Sequence, residues 1–500
     1  MFKKLLINLG ILSILLISCT TKEMPPSEPV VFSILFNQTE ANPFQENWLI
    51  LEEYKTRQNV SLDVRLGNDA DFENEIIRTL ESGNIPDIIL KVWPNTIDSY
   101  AANGILLAFS DYEDLMPNFM EYIEEHDLHN ELDKLRLNNG KYYILPGYKR
   151  TIQVQQWIYR RDIFEKNNLE IPTTYDELFD SLVLLKEIYP NTTPITASWG
   201  GAHLFAMMGA GYEIPAGWAG TRDYNFETDQ WRFAPATDSY KELLTFLNRC
   251  YDAGVLDPSI FTQGDEDFAN KLVDGSALVT VTWISSGFSN WNGQLEENGF
   301  PGGEWAPLSV PESTIGIAAL PPVDPFRKGL VVPSRVINEP YFEDLLKFLD
   351  WAVYSKEGMT LTTWGIEGVT FENTSDGKVF LPNITSPKEY GLESFFDLNE
   401  NEEFEDNKKP PEIAAFLEKS LNAGDAAEMD PQLILSSDAI NAAQLINERL
   451  DPYINETFKS FVTGELSIDQ DWDEYLLEIE KRGFKTLEEI WGSAWIEQNK

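Results

Sequence analysis

Strand-like and helix-like patterns alternate along the first part of the chain. Val30–Phe36 is a mostly apolar run, typical of a buried strand, and residues 45–58 then follow a helical period. Ser61–Arg65 alternates as a second strand, residues 71–82 have a helical pattern, and Pro86–Leu90 is a third strand-like run. This β-α-β-α-β order predicts a three-layer α/β lobe with a largely parallel sheet.

The loops after these strands are candidates for ligand contact, because ligands of open α/β sheets bind beyond the carboxyl ends of the strands. Asn37–Phe44 follows the first strand and Lys91–Ile97 follows the third. The candidate side chains in these two loops are Asn37, Gln38, Lys91, Trp93 and Asn95. For each polar one, the alternative is an ordinary loop side chain without a ligand role.

A second set of elements begins near Gly147. We place the first crossover between lobes at about 147–152, with Gly147 as the residue that absorbs the hinge motion. Thr173 or Thr174 suits the N-cap of a helix over 175–189.

The rest of the chain adds a strand, a return crossover and a helical tail. Ala277–Thr282 is rich in β-branched residues and predicts a strand that delivers Trp283 to a loop. The proline-rich segment 316–325 suits a return crossover. Phe342–Tyr354 has an apolar helical stripe, and residues 438–495 are mostly helical in pattern.

These patterns divide the chain into a leader, a tether and two lobes. A chain of 500 residues is too long for one compact core of ordinary size, so two lobes are expected. The predicted boundaries are 1–18 for the leader, 19–30 for the tether, 31–149 with 327–375 for the first lobe, and 150–326 with 376–500 for the second lobe and its helical tail.

The leader has the features of a bacterial lipoprotein signal. Lys3 and Lys4 precede an apolar segment, Leu5–Ile17, which is too short to span a bilayer comfortably. Leu16–Cys19 resembles the lipobox, in which the chain is cleaved before a cysteine whose sulfur receives a diacylglyceryl group. We therefore expect an extracytoplasmic protein whose lipidated Cys19 is its one membrane anchor. The alternative is an ordinary secretory signal with a chance cysteine.

Charge and cysteine content limit the partners and the sources of stability. Asp and Glu number 82 against 38 Lys and Arg, a net charge of −44, and such a surface repels nucleic acid and anionic lipid. We expect no nucleic-acid partner. Only Cys19 and Cys250 occur, so a lipidated Cys19 leaves no internal disulfide. Cys250 lies on a helical pattern and is expected to be a buried apolar side chain.

Motifs of catalysis and of metal binding are missing from the sequence. It contains no G-x-S-x-G elbow, no H-E-x-x-H pair, no P-loop and no dinucleotide fingerprint. His126, His129 and His203 do not have metal-ligand spacing. We expect no cofactor. A glycosidase that uses two of the many carboxylates is the enzymatic alternative that composition leaves open.

Aromatic residues outside helical stripes are candidates for ligand contact, because their faces stack on apolar surfaces of a ligand while polar side chains bond to its polar groups. Tryptophans at predicted strand ends or in glycine-rich loops are the candidates: Trp93, Trp199, Trp283 and Trp364. Tryptophans on helical stripes are assigned to packing: Trp351, Trp472, Trp491 and Trp495. Arg150 and Arg335 complete the polar candidates, and Lys91 and Arg150 suit a substrate that carries a carboxylate.

Several short motifs occur together in a fixed order. They are Pro86–Ile89, Gly140–Pro146, Tyr159–Asp162, Pro172–Leu178, Tyr251–Pro258, Asp274–Leu278, Tyr354–Gly358, Trp364–Phe371, Phe461–Gly464 and Trp472–Tyr475. Their order and content resemble the extracellular solute-binding proteins, family one, of bacterial ABC importers. The last motifs resemble the long lipoprotein branch that includes alginate- and aldouronate-type oligosaccharide binders.

The resemblance implies a type II periplasmic-binding-protein-like fold: two lobes, each a mostly parallel sheet flanked by helices, with chain crossovers between them. Members of the long branch often carry an Asp/Asn/Gly-rich calcium loop after the Pro-Thr helix. The corresponding stretch here, 186–197, lacks the spaced carboxylates that calcium needs, so we expect no metal.

The function implied is that of a lipid-anchored, monomeric receptor that captures a carbohydrate and delivers it to the permease of an ABC importer. An oligosaccharide is the expected ligand. Two alternatives stay open: a surface glycan-binding lipoprotein that is not coupled to a transporter, and a glycosidase.

Overall fold

The computed structural model describes residues 28–38, 43–68, 72–148, 155–217, 220–283, 288–321, 326–375, 377–401 and 430–499. Within these ranges no helix has the length and apolar character needed to cross a membrane.

The strands are short and the helices are distributed along the whole chain. The strands are β1 (Val30–Gln38), β2 (Val60–Asn68), β3 (Ile88–Val92), β4 (Leu145–Tyr148), β5 (Gln155–Arg160), β6 (Arg222–Asn225), β7 (Gln230–Phe233), β8 (Val279–Trp283), β9 (Trp305–Pro307), β10 (Phe326–Val331), β11 (Phe371–Thr374) and β12 (Gly377–Phe380). The helices are α1 (Leu49–Gln58), α2 (Phe72–Glu81), α3 (Asp98–Ala102), α4 (Pro117–Glu125), α5 (His129–Asp133), α6 (Arg161–Lys166), α7 (Tyr175–Ile188), α8 (Ala202–Ala210), α9 (Asp238–Asp252), α10 (Asp265–Val273), α11 (Phe288–Glu297), α12 (Phe342–Tyr354), α13 (Lys356–Thr363), α14 (Ser437–Thr463), α15 (Ile468–Arg482) and α16 (Phe484–Gln498).

The first lobe is built on a five-stranded sheet in the order β2-β1-β3-β10-β4. β1 pairs in parallel with β2 and with β3, whereas β10 is antiparallel to both β3 and β4. Alternate residues of β1 enter different cores: Phe32 and Ile34 pack in one hydrophobic cluster and Leu35 in another. The sheet therefore has a core on each face, which is the three-layer arrangement that the β-α-β-α-β pattern predicts.

A buried carboxylate ties two helices of the first lobe together. Asp350 on α12 accepts hydrogen bonds from the backbone N–H groups of Asn118 and Phe119, at 3.2 and 2.7 Å, and from Asn118 Nδ2 at 2.6 Å. These residues open α4, whose first N–H groups have no partner inside the helix. Asp350 thus caps α4 from a distant part of the chain.

The second lobe contains a three-stranded sheet in the order β8-β5-β9. Both pairs are antiparallel, which differs from the mostly parallel sheet expected for each lobe. Isolated bridges add parallel pairing: Ile195 bridges in parallel to Val279 on one side and to Leu256 on the other, and Thr174 bridges in parallel to Glu312. Thr174, one of the two predicted caps, accepts a hydrogen bond from the Glu177 N–H and begins α7.

Asp257, within the motif Tyr251–Pro258, forms a buried ion pair in this lobe. The Asp257 carboxylate accepts from Lys271 Nζ at 2.5 Å, from Thr196 Oγ1 at 2.7 Å and from the Ser259 N–H at 2.9 Å. Burial opposes ionisation, but the Lys271, Thr196 and Ser259 hydrogen bonds outweigh it and lower the pKa of Asp257. The carboxylate therefore holds the helix α10 to the strand segment at Thr196.

The helical tail packs on the second lobe, but the segment before it does not. α14, α15 and α16 contribute Leu450, Trp472 and Trp491 to the large cluster that also contains β5 and β8 residues. In contrast, Phe395 and Leu398 lie in the core of the first lobe, although the predicted boundaries put residues 376–500 in the second. That boundary is wrong for residues 377–401, and we propose the remainder of the division as predicted.

Several individual predictions match the observed elements closely. The helix expected over Phe342–Tyr354 has those bounds, and the strand expected over Val30–Phe36 is β1, which runs two residues further. Cys250 is buried on α9, and burial raises the pKa of its thiol to about 12, as expected of an inert apolar side chain.

Candidate functional site

One edge of the first sheet collects the ends of several strands. β1 and β2 end side by side at Gln38 and Asn68, and β3 ends beside them at Val92. Phe326 of β10 pairs with Tyr148, the last residue of β4, and β10 begins beside the end of β3. We call this the first cleft edge. The predicted residues Asn37, Gln38, Lys91 and Trp93 lie on it or directly after it.

A matching edge exists on the second sheet. Gln155 at the start of β5 pairs with Trp283 at the end of β8. Ile195 pairs in parallel with Val279. Trp199 and Trp283 each lie four residues beyond these paired positions and therefore reach the same edge of the sheet. We call it the second cleft edge. Tyr148 and Gln155 lie on either side of the first crossover. The stretch of chain that joins these two residues can span at most about 25 Å. The two edges therefore adjoin one passage between the lobes.

Trp199 is held in an unusual backbone conformation with its ring in solvent. Its φ is +54° and the next two residues, Gly200 and Gly201, have φ of +63° and +80°. The side chain is 64% exposed. A left-handed backbone is unfavourable for a bulky L-residue, and such strain concentrates at functional sites. The ring centroid lies 5.1 Å from that of His203, whose pKa burial lowers to about 4, so this neighbour is an uncharged imidazole at neutral pH.

Trp93 is oriented by two charged neighbours on the first cleft edge. Its indole N–H donates to Glu73 Oε1 at 2.9 Å, and Lys328 Nζ lies 5.0 Å from its ring centroid. Lys328 Nζ is also 3.6 Å from the same Glu73 oxygen. The carboxylate and the ammonium fix the plane of the ring, and the ammonium lies against the ring's π system.

Among the other predicted residues of this edge, Gln38 has a hydrogen-bond partner within the protein and Lys91 has a strained backbone. Gln38 Oε1 accepts from the Phe44 N–H at 3.1 Å and so organises the loop after β1. Lys91 has a φ of +59° inside β3 and is, like Trp199, a left-handed residue other than glycine beside a candidate loop. Asn37 is half-buried at the end of β1.

Two predicted site residues have other structural roles. Arg335 donates from Nη2 to Asp87 Oδ1 and to the Ile85 carbonyl, both at 2.8 Å, at the opposite end of β3 from the cleft. Trp364 is 2% exposed and packs against Phe371 and Phe380, so its ring is covered by protein. Contrary to the prediction for these two side chains, the Trp364 ring has no exposed face for a ligand and Arg335 lies away from the first cleft edge.

Gly147 is also placed differently from its predicted hinge role. It lies inside β4, paired with Arg327, and not in the crossover. A Cβ at this position would lie 2.4 Å from the Leu398 carbonyl oxygen and 2.8 Å from that of Lys328. Glycine is needed here because two backbone segments approach closely, not because the chain bends.

Some predicted residues cannot be assigned a side-chain environment. Cys19 and Arg150 lie outside the described residues. Asn95 and Trp283 are described by their backbone only: Asn95 lies in the short helical turn Pro94–Thr96 and Trp283 ends β8.

The sequence did not point to a group of charged residues between the lobes. Asp98 opens α3 in the first lobe, Arg222 opens β6 in the second, and Asp430 precedes α14. Burial raises the pKa of Asp98 and of Asp430 to about 6, and both carboxylates interact with the Arg222 guanidinium. The three residues come from distant segments, so no local pattern connects them. The one sequence feature that could have pointed to Asp98 is its position directly after the Lys91–Ile97 loop.

The stretch expected to lack a metal is organised by side chains. Lys186 Nζ donates to the Thr192 carbonyl, and Thr192 Oγ1 donates to the Tyr189 carbonyl at 2.8 Å. Over the described part of the chain, no three His, Cys, Asp or Glu side chains come together in a way that could hold a metal ion. The Lys186 ammonium is therefore bonded to one carbonyl oxygen of this loop, that of Thr192.

Comparison with known proteins gives the family. The profile described as bacterial extracellular solute-binding protein matches residues 50–349. The fructooligosaccharide ABC transporter substrate-binding protein FusA of Streptococcus pneumoniae is 23% identical over 270 residues, which are 49% of this chain and 48% of that protein. The polygalacturonan/rhamnogalacturonan-binding protein YtcQ of Bacillus subtilis is 23% identical over 363 residues, 68% of this chain and 66% of that protein. The matched segments thus span between about half and two thirds of these relatives.

Solved structures agree with this fold. The alginate-binding protein AlgQ2, solved without calcium ion, superposes with a TM-score of 0.79 at 18% identity and covers 94% of this chain and 98% of its own. FusA of S. pneumoniae in complex with kestose has a TM-score of 0.73 at 20% identity, with 94% and 100% covered. Both are binding proteins, and their likeness to this chain confirms the predicted binding-protein fold. The profile match over more than half of the chain establishes that this protein belongs to the family of bacterial extracellular solute-binding proteins.

Proposed function

We propose that the protein captures an oligosaccharide between its two lobes and delivers it to the permease of an ABC importer. The observation that carries the proposal is Trp199: an indole that is 64% exposed, on a strained backbone, at the edge that adjoins the crossover. Exposing a tryptophan and holding it in a left-handed conformation both cost free energy, and a ring that stacks on a sugar accounts for both.

The opposite edge offers a second ring. Trp93 is fixed in place by Glu73 and Lys328, so little side-chain entropy is lost when a ligand stacks on it. Relatives named for fructooligosaccharide and for polygalacturonan binding support an oligosaccharide as the ligand class. We propose that the protein acts as a monomer without cofactor and without catalysis.

The place of action follows from the family and the leader. Members of the family are extracellular, and we propose that Cys19 carries the lipid that holds this protein on the outer face of a membrane. Mass spectrometry of the protein from its host tests the anchor: a diacylglyceryl mass on Cys19 is expected, and a free thiol in the mature chain contradicts it.

Calorimetric titration against a panel of glycans tests the ligand class. We expect binding of at least one oligosaccharide, weakened by Trp199→Ala and unchanged by Leu477→Ala, a control that removes an exposed apolar side chain from α15. Glycans recovered intact after long incubation would agree with a binding protein, whereas cleaved products would favour the glycosidase alternative. Tight binding of a peptide or a metal without any sugar binding would contradict the proposal.

A further inference from the structure

The left-handed backbone of Trp199 has to be held in place by its surroundings, because strain of this kind persists only where neighbouring groups over-determine it. After Trp199, Gly200 and Gly201 also have positive φ and lead into α8. Before it, Thr196 and Ala197 are fully buried, whereas the Trp199 ring is in solvent. The groups that fix Thr196 and Ala197 therefore influence where this ring lies.

Thr196 is bonded to β8 and to a buried carboxylate. Its carbonyl oxygen accepts from Thr280 Oγ1 at 2.7 Å, and its N–H donates to the Val279 carbonyl at 3.3 Å. Its own Oγ1 donates to Asp257 Oδ2 at 2.7 Å. These bonds fix the backbone at Thr196, but Trp199 lies three residues further along the chain.

Gln263 carries this anchoring one residue closer to Trp199. It lies in the loop between α9 and α10, and its Nε2 donates to Thr196 Oγ1 at 2.9 Å and to the Ala197 carbonyl at 2.6 Å. Both amide hydrogens are thereby used. A backbone carbonyl two residues before Trp199 is thus held by a side chain from a different segment.

The amide of Gln263 is itself held in one orientation. Lys271 Nζ donates to Gln263 Oε1 at 2.7 Å and to Asp257 Oδ2 at 2.5 Å. An ammonium can only donate and the Ala197 carbonyl can only accept, so the amide oxygen must face Lys271. A chain of hydrogen bonds therefore leads from the buried Asp257 carboxylate to the Ala197 carbonyl.

The same loop also contacts the chain after Trp199. The ring centroid of Phe261 lies 5.7 Å from that of Phe205 on α8. A Cβ at Gly201 would lie 2.5 Å from Phe205 Cε2, so this ring packs closely against the backbone that follows Trp199. The loop therefore supports the strained residue from both sides, through Gln263 before it and through Phe261 after it.

We propose that Gln263 is a positioning residue for Trp199: it does not touch the ligand, but its hydrogen bond to Ala197 fixes the direction in which the indole ring meets a sugar. The inference rests on the proposed function and adds to it a residue outside the binding surface. A ring that is fixed before binding loses less conformational entropy when the ligand stacks on it. Loss of the Gln263 amide should therefore reduce affinity without removing any contact with the ligand.

Calorimetric titration with kestose and with a galacturonan fragment tests this, and the ligand that the unaltered protein binds more tightly is used for the variants. Gln263→Ala should weaken its binding by about twofold to tenfold. Asn248→Ala is the matched control, because Asn248 Nδ2 also donates to a backbone carbonyl of the second lobe, that of Val462, at 3.3 Å. It should bind like the unaltered protein.

Two further measurements separate positioning from a purely structural role. In the Trp199→Ala protein, Gln263→Ala should cause no further loss of affinity, because its effect acts through the missing ring. Fluorine NMR of protein labelled with fluorotryptophan reads the ring directly, and the Trp199 resonance is identified by its loss in Trp199→Phe. This resonance should shift or broaden in Gln263→Ala and stay unchanged in Asn248→Ala.

A second variant isolates the hydrogen bond to Ala197. Gln263→Glu keeps the acceptor for Lys271 but cannot donate to the Ala197 carbonyl, so it should behave like Gln263→Ala in both measurements. Circular dichroism checks that each variant is folded.

The other outcomes separate this inference from the proposed function. Unchanged affinity in both Gln263 variants overturns the inference and leaves the function intact, as does an equal loss of affinity with and without the Trp199 ring. Absence of all glycan binding overturns the proposed function, and the NMR signal then decides the inference by itself. A Trp199 resonance that is the same in Gln263→Ala as in the unaltered protein overturns it, whereas a displaced resonance supports it.

Discussion

Replacing Trp199 by glycine and by alanine separates the strain of its backbone from the use of its ring. A left-handed backbone costs an L-residue about 1–2 kcal/mol, and glycine escapes that cost. The greater flexibility of glycine in the unfolded chain opposes this by roughly 0.5–1 kcal/mol. Because the φ of Trp199 is +54°, Trp199→Gly should be more stable than Trp199→Ala by about 1 kcal/mol.

Both variants remove the same ring, so their effect on binding should be equal. The side chain is 64% exposed, and its loss removes little buried surface in either case. Loss of a stacking aromatic should weaken oligosaccharide binding by about 1–3 kcal/mol, roughly fivefold to 150-fold in Kd.

Denaturant unfolding followed by circular dichroism measures the first difference and calorimetry measures the second. An alanine variant as stable as the glycine variant would refute the strained conformation at Trp199. Binding that is unchanged in both variants would refute the stacking role while leaving the strain without a function.

Three further predictions concern other parts of the molecule. Asp257→Asn leaves Lys271 without its buried partner and should destabilise the protein by about 3 kcal/mol. The pKa of Asp257 is lowered in the folded state, so the stability that its carboxylate contributes is complete above pH of about 4 and is lost as pH falls through the lower folded pKa. Denaturant unfolding of both proteins across this pH range measures the difference. Glu73→Gln keeps an acceptor for the Trp93 indole and should bind sugar nearly normally in calorimetry, whereas Glu73→Ala frees the ring and should weaken binding, and equal behaviour of the two would contradict the positioning role. Thermal unfolding should be unaffected by EDTA or added calcium, because the stretch 186–197 lacks the spaced carboxylates that calcium needs and its Thr192 carbonyl is bonded to Lys186; a rise in Tm with calcium would show a metal site instead.

Local patterns were enough to predict most elements and part of the site. The position of Trp93, Lys91 and Trp199 at the cleft edges could be predicted because strand ends are visible in the sequence, and their contact with a ligand stays a prediction. The helix over Phe342–Tyr354 was found because its apolar stripe is long and regular.

Long-range packing explains the errors. Trp364 lies between a helix and the glycine-containing stretch 365–368, a context that favours a binding role, but a later hairpin covers its ring with Phe371 and Phe380. Arg335 donates a hydrogen bond to Asp87, which lies just before β3 and is far from Arg335 in the sequence. Sequence alone does not distinguish a glycine that is required because two backbone segments lie close together, such as Gly147, from a glycine at a hinge.

The charged group between the lobes was beyond sequence analysis for a related reason. Asp98, Arg222 and Asp430 belong to three segments that only the folded chain brings together, and each is an ordinary residue in its own segment. Residues 377–401 were assigned to the wrong lobe because the aromatic residues that dock them into the first core, Phe395 among them, pack against β1 residues far away in the sequence.

Small-angle X-ray scattering of the protein with and without its tightest-binding oligosaccharide tests the central claim most directly. Capture between two lobes predicts a smaller radius of gyration at saturating sugar, and Trp199→Ala should require a higher sugar concentration for the same change. A scattering curve that stays the same while calorimetry shows full binding would contradict the account, since the sugar would then lie on an open surface and not between the lobes.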